Sequence, residues 1–286
     1  KGDGYSEENT WRVGARVQEE SMGKEYDFFK DKGLHNESID LGFNHKSGLF
    51  VNGGYTRNNH GGWQGDLTGR EKRWHPKDQA LMNGMFGFQN RNMNVWYRLD
   101  FLDEKIFGPN NGSELQPEKV SDKDFLTKRY THQLQSDWKL DNRLDVHAAL
   151  SYQDYKRRTR TTESDLSTGE KWLSSAEASQ DITQYKAWIA RATVAWNIAP
   201  EFSVQPGVEY QWTQGEGGRI DGTPKVSDLA FFLSAEYKPW EWLSLRPGVR
   251  TFIVADYDAP IAIPSVLTKF KLTKHMDLRL SYAYGF

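Results

Sequence analysis

Residues 276–286 alternate polar and apolar side chains almost without interruption. Leu278, Leu280, Tyr282, Tyr284 and Phe286 fall on one face, with Asp277, Arg279, Ser281 and Gly285 on the other. A period of two specifies a strand with one apolar and one polar face. The pattern recurs about a dozen times. Residues 38–44 and 49–56 flank the turn His45-Lys46-Ser47-Gly48, and residues 80–88 and 93–101 flank Gln89-Asn90-Arg91-Asn92. Further tight turns are expected at 140–143, 198–201, 238–241 and 273–275. Each carries Gly, Pro, Asn or Asp, or a short polar run, as hairpins require. Long polar connections are expected at 20–36, 58–78, 103–124, 158–182, 214–225 and 255–262. Short turns at one end and long loops at the other, with strands of about ten residues, is the arrangement of a transmembrane β-barrel. Soluble sandwich strands are nearer five or six.

Aromatic positions sharpen this expectation. Tyr55, Tyr152, Tyr210 and Trp212 lie toward the long-loop ends of their segments, and Phe43, Phe88, Trp138, Trp196, Tyr237 and Phe270 toward the short turns. Two rims of amphipathic rings suit two membrane–water interfaces. The predicted fold is all-β, an antiparallel transmembrane β-barrel with about 13 strands present. The first and last strands both run outward, toward the long-loop end. A closed antiparallel barrel needs its terminal strands antiparallel, so residues 1–286 are expected to form part of a larger wall.

Composition removes several alternatives. The chain has 286 residues, no cysteine, 14% aromatics and a formal net charge of −2. Without cysteine there are no disulfides, thiolate metal sites or Cys nucleophiles, and the near-neutral charge gives no support to nucleic-acid binding. A mean hydropathy of −0.78 is compatible with a barrel, because only alternate strand residues meet lipid. No apolar run approaches the roughly 18 residues of a spanning helix.

Three stretches then carry a resemblance. Leu245-Arg246-Pro247-Gly248-Val249-Arg250, Ile263-Pro264-Ser265-Val266 and Leu280-Ser281-Tyr282-Ala283-Tyr284-Gly285-Phe286 resemble consecutive mid-barrel segments of TonB-dependent outer-membrane receptors. The hairpin at 42–57 resembles the first part of such a barrel. The resemblance implies a barrel of about 22 strands with a plug, of which this chain would supply a little over half the wall, without the plug or the last strands. It implies a bacterial outer-membrane active transporter for a large scarce solute, such as a siderophore, haem, cobalamin or a glycan. Implied partners are outer-membrane lipid, lipopolysaccharide and, through the plug, the TonB complex. The alternatives are a passive porin of about 14 strands, an outer-membrane barrel enzyme and a soluble all-β binding protein.

Candidate chemistry is sparse. Asp40, His45 and Ser47 are scattered by alternation and the tight turn, so no catalytic residues are assigned; no metal site or cofactor is called for either. The loop 58–78 gathers Trp63, Arg70, Arg73, Trp74 and His75, combining flat surfaces with cations. Aromatics stack on apolar or sugar faces, and Arg forks grip carboxylate or phosphate. These five, with Arg98 inside the wall and Trp172 in a later loop, are the expected solute contacts. A solvated or lipopolysaccharide-facing loop is the plainer reading of the first five. His60 and His75 share that loop and could contact a metal-bearing ligand, although solvated loop histidines are commoner. Lys156-Arg157-Arg158-Thr159-Arg160 reads as a basic rim near anionic lipid phosphates. Alternation assigns Arg98, Asp100, His147, Gln153, Arg191, Gln205, Glu209 and Arg279 to the polar face.

Overall fold

A computed structural model describes residues 8–28, 32–218, 220–255 and 260–285; the terminal Phe286 lies outside them. The strands are β1 (Thr10–Glu20), β2 (Leu34–Asn44), β3 (Leu49–His60), β4 (Lys77–Gln89), β5 (Met93–Gly108), β6 (Lys119–Lys139) and β7 (Leu144–Asp165). They continue with β8 (Lys171–Leu173), β9 (Ile182–Ala199), β10 (Phe202–Glu216), β11 (Lys225–Trp240), β12 (Leu243–Ala255), β13 (Ile263–Thr273) and β14 (Met276–Ala283). All belong to one antiparallel sheet in which each strand pairs with its neighbour in sequence, except that β9 follows β7 and the three-residue β8 hangs on β7. Among the described residues the wall therefore contains 13 strands, against an expectation of about 13. Its path runs from β1 to β14, which do not pair among the described residues.

The strands are longer than the sequence reading allowed. β6 and β7 have 21 and 22 residues, and segments expected as loop at 103–108, 119–124 and 158–165 remain in the ladder. Their polarity hides the alternation that a water-exposed extension of the wall needs no apolar residues to maintain. At the other end the turns are tight, Pro200-Glu201, Glu241-Trp242 and Lys274-His275 each joining two strands.

The register settles which side chains share a face. Trp11, Val13 and Ala15 oppose Phe43, Leu41 and Ile39, which oppose Val51, Gly53 and Tyr55, then Phe86, Gly84 and Met82, then Tyr97, Leu99 and Phe101. Beyond these come Leu134, His132 and Tyr130 on β6. This face is apolar and uncovered: Trp11 is 77% exposed, Phe86 60% and Tyr282 61%. Among the described residues the only buried apolar side chains are Met22, Pro109, Val120 and Ala230. Such a sheet has no core in water, because an apolar face must be buried against something. From Trp138 to Tyr130 the apolar run on β6 spans about 27 Å along the strand, or about 21 Å in depth at a tilt near 40°. A barrel's lipid-facing band is about 25 Å tall.

The tilt can be read from the aromatic boundary. On β3, β5 and β6 the last rings before the charged rows are Tyr55, Phe101 and Tyr130. On β7, β9 and β10 they are Tyr152, Trp188 and Trp212, one two-residue step lower in register, since Tyr130 faces Asp154. Phe101–Tyr130 and Tyr152–Trp188 stack with centroids 4.8 and 4.4 Å apart. His132 sits on this face, hydrogen-bonded to the Tyr97 hydroxyl at 2.7 Å.

The opposite face is polar and braced by ions. Glu209 is buried; its carboxylate accepts hydrogen bonds from Arg250 Nη2 at 2.7 Å and Gln211 Nε2 at 3.0 Å, with Arg191 Nε at 3.7 Å. The Arg191 guanidinium also lies over the Phe232 ring, 4.8 Å from its centroid. Phe232 in turn covers Gly207, where an added Cβ would come within 2.2 Å of the ring. Glycine is required there because the neighbouring strand's ring occupies the side-chain volume. Arg98, Asp100, His147, Gln153, Arg191, Gln205, Glu209 and Arg279 all fall on this face by register.

Candidate functional site

The loops at the long-loop end are built structures. In the β3–β4 connection, Trp63 and Trp74 form a backbone bridge, with N···O distances of 2.9 and 3.0 Å, and their rings meet edge to face at 5.5 Å. Gly62 has a φ of 80° and its N–H donates to His60 Nδ1 at 3.2 Å. Burial, reinforced by the charge of Lys77, holds the His60 pKa below the usual histidine value. Trp74 and His75 are exposed and Trp63 is half-buried.

Three of the expected solute contacts, Arg70, Arg73 and Arg98, have internal carboxylate partners. Arg70 forks onto Asp122 of β6 (Nη1–Oδ1 3.0 Å, Nη2–Oδ2 2.6 Å) and donates to the Asn110 carbonyl at 2.8 Å. Its backbone N–H donates to Asn111 Oδ1 at 2.7 Å. Arg70 thus ties the β3–β4 connection to the β5–β6 connection. Arg73 pairs with Asp66 and holds that carboxyl below its ordinary pKa. Arg98 lies elsewhere, on the polar face of β5, forked onto Asp100 (Nε–Oδ2 2.8 Å, Nη2–Oδ1 2.7 Å). Trp172 is on β8, opposite Glu163, and 48% exposed. The structure brings together Trp63, Trp74 and His60, whose ring lies 6.1 Å from Trp74, with His75 adjacent in the chain. Arg98 and Trp172 belong to other parts of the wall. Asp40 pairs with Arg12 at 3.6 Å, while His45 and Ser47 hydrogen-bond within their own turn at 2.8 Å.

Another site was missed by sequence reasoning. The polar faces of β6, β7 and β9 and the returning segment 174–181 enclose a recess of about 710 Å³ near the long-loop end. Its lining includes Lys123, Phe125, Tyr155, Arg157 and Tyr185 among hydroxyl side chains such as Thr159 and Thr183. Arg157 lies over the Phe125 ring at 4.4 Å, and the Tyr155 and Tyr185 rings are 6.1 Å apart. Neither Arg157 nor Lys123 forms an ion pair among the described residues. The segment 174–181 is held to the β7 edge: Ser174 N–H donates to the Thr161 carbonyl at 3.0 Å, Thr161 N–H to the Ser179 carbonyl at 2.9 Å, and Thr159 N–H to the Asp181 carbonyl at 2.8 Å. Ser174 and Ser179 are buried, and Ala178 has a φ of 59°, a conformation that costs a non-glycine residue energy. The same lining carries Glu163, Glu177 and Asp181, so its charge is mixed, and cations beside aromatic faces can hold a planar group. No contrast in the sequence marks it: Tyr155, Arg157, Thr159, Thr161 and Glu163 share one face, but they alternate with the equally polar Lys156, Arg158 and Arg160.

No known protein-family profile matches the chain, and no curated protein matches it in sequence. Solved structures do match. The ferric enterobactin receptor PfeA of Pseudomonas aeruginosa aligns over 97% of this chain and 44% of its own, at 12% identity and a TM-score of 0.64. The outer membrane transporter YddB of Escherichia coli aligns over 93% and 42%, at 14% identity and 0.62. The ferric yersiniabactin uptake receptor FyuA of Yersinia pestis aligns over 96% and 48%, at 13% identity and 0.56. This is the barrel fold of the TonB-dependent outer-membrane receptors. The chain spans less than half the length of each of these three receptors. In a barrel of this class the long loops are extracellular and the short turns periplasmic. The recess and the Trp63–Trp74 hairpin both lie at the long-loop end of the wall.

Proposed function

We propose that this chain is the wall segment of an outer-membrane active transporter. The segment belongs to a barrel of about 22 strands whose plug and remaining strands lie outside these 286 residues. The carrying observation is the sheet itself: one continuous apolar face with no protein cover, backed by an ion-braced polar face. The shared fold supports the same reading. The protein takes up a large scarce solute, and the plug is moved by the TonB complex of the inner membrane. The recess around Arg157 and Tyr185 makes the first contact with solute on this part of the wall. Trp63, Trp74 and His75 form a second surface, while Arg70, Arg73 and Arg98 act through their carboxylate partners as positioning residues. Trp172 covers the edge of β7 near the mouth.

The test uses the full-length protein in cells with and without TonB and measures accumulation of candidate iron chelates, haem, cobalamin and oligosaccharides. Saturable uptake that disappears without TonB is expected for one of them, and Arg157→Ala together with Tyr185→Ala should raise the half-saturating concentration. Energy-independent diffusion of small hydrophilic solutes, unaffected by either substitution, would replace this reading with a passive porin.

A further inference from the structure

The charges around the recess on β6, β7 and β9 balance. Lys123 and Arg157 line it together with Glu163, Glu177 and Asp181, and Arg129 stands opposite Tyr155 on the same face. Glu163 accepts a hydrogen bond from the Ser121 hydroxyl at 3.1 Å, and Asp181 accepts one from Gly218 N–H at 2.9 Å. Lys123, Arg129, Arg157 and Glu177 form no ion pair among the described residues. A ligand carrying several negative charges would meet carboxylates as well as cations here, and its attraction to the site would largely cancel.

The rest of the lining offers ring faces and free hydroxyls. The Tyr155 and Tyr185 rings are 6.1 Å apart with their planes inclined at 43°, an open angle rather than a closed stack. Gly215 of β10 leaves room for the Tyr185 ring, since an added Cβ would come within 3.2 Å of its Cε1. The hydroxyls of Tyr155, Thr159, Thr183 and Tyr185 have no hydrogen-bond partner among the described residues. Directly below, two rows across four strands present amides and hydroxyls without a charge, Gln133, Gln153 and Gln211 among Thr131, Ser151 and Thr213. Elsewhere the same face is braced by ions, as at Arg98–Asp100 and Glu209–Arg250.

We infer that the recess takes a neutral carbohydrate, with one sugar ring seated against Tyr155 and Tyr185. A sugar presents apolar C–H faces that stack on aromatic rings and an edge of hydroxyls that both donate and accept. Arg157 donates to that edge, Glu177 accepts from it, and Thr159 and Thr183 do either. Adjoining sugar units extend over the uncharged rows below. A volume of about 710 Å³ lies within the range of about 300–1,000 Å³ of sites for small organic ligands. The inference rests on the proposed reading of this recess as a solute contact.

The full-length protein in detergent is titrated with neutral oligosaccharides of glucose, mannose, galactose and xylose. Parallel titrations use a ferric tris-catecholate chelate, haemin and cyanocobalamin. At least one oligosaccharide should bind, with an affinity that changes less than about twofold between roughly 50 and 500 mM salt, because no net charge is neutralised. Tyr185→Leu should weaken that binding about tenfold by removing the stacking face, whereas Tyr185→Phe keeps the ring and should cost about threefold or less. Glu177→Gln should weaken sugar binding about threefold, and it would tighten binding of an anionic chelate. Glu177 is exposed on the segment 174–181, so this variant tests the site even where Tyr185→Leu fails to fold. Lys156→Gln, one residue from Arg157 on the opposite face, should leave binding unchanged. Binding of the chelate, haemin or cyanocobalamin but of no oligosaccharide, weakened by Tyr185→Leu, overturns the carbohydrate and leaves the recess as a solute contact. Binding that Tyr185→Leu and Glu177→Gln both leave unchanged, or no binding in any titration, overturns the solute contact as well.

Discussion

Replacing Leu134 with Arg places a charge at the centre of the apolar run on β6, midway between Trp138 and Tyr130. Leu134 is 43% exposed on the apolar face, with Tyr97 and Leu150 as its cross-strand neighbours. An Arg at the bilayer midplane of a barrel costs about 2–4 kcal/mol, falling to about 0–1 near the interfaces. Leu134 is four residues from each boundary ring, or about 10 Å in depth at the tilt of such strands, so the upper half of that range applies. Leu99, on the row above, lies about 5 Å nearer the interface and its substitution by Arg should cost about 2 kcal/mol. The internal control is Gln135→Arg. This position faces the polar side between Trp96 and Ala149, and its amide already donates to Asp137 at 3.0 Å, so the new guanidinium has a carboxylate at hand. It should cost less than about 1 kcal/mol. Urea unfolding of the full-length protein in liposomes, followed by tryptophan fluorescence, gives both values. Equal costs at 134 and 135, or a larger cost at 135, would refute the assignment of faces.

Other consequences follow from individual contacts. Arg70→Lys keeps the charge but loses the fork onto Asp122, so the amides of Asn110, Asn111 and Gly112 should exchange hydrogen about tenfold faster, the equivalent of about 1–2 kcal/mol of local stability at this partly exposed pair. Gly207→Ala should cost about 1–3 kcal/mol by displacing Phe232; adding Phe232→Leu should restore part of it in the same unfolding assay. His60 has its pKa lowered by burial and Lys77, so the unfolded chain takes up its proton first as the pH falls. Its stabilising contribution is complete above the unfolded value of about 6.5 and is lost as the pH drops toward the folded value. Protonation at Nδ1 also removes the acceptor for Gly62 N–H, so the protection of Gly62 relative to its intrinsic exchange rate should fall as the pH drops below about 6.5, and His60→Gln should flatten that dependence.

The wall was legible in the sequence wherever one face is apolar. Leu278, Leu280 and Tyr282, or Phe86 against Tyr97, betray a strand because lipid demands hydrocarbon at every second position. Above the aromatic boundary the same ladder continues with both faces wet. There Thr159, Thr161 and Glu163 alternate with Arg158 and Arg160 without any contrast in hydropathy, and the extension reads as loop. The recess was hidden for the same reason, and because Lys156 and Arg157 look like one basic patch until the pleat separates them. Arg70 and Arg73 stood out as cations in a loop, but only the fold shows that Asp122 and Asp66 occupy them. Their carboxylate partners lie 52 and 7 residues away, a pairing no local pattern announces.

The assignment of one face to lipid and the other to water is tested most directly by accessibility along β6. The chain has no cysteine, so single substitutions at Tyr130, Thr131, His132, Gln133, Leu134, Gln135 and Ser136 can each carry a nitroxide label in the full-length protein in bilayers. Collision with oxygen, which concentrates in lipid, should be high at 130, 132, 134 and 136, and collision with a water-soluble nickel chelate should be lower there than at 131, 133 and 135. A strict period of two with that phase supports the membrane wall. Water-like accessibility at 132 and 134, or no alternation, would contradict it.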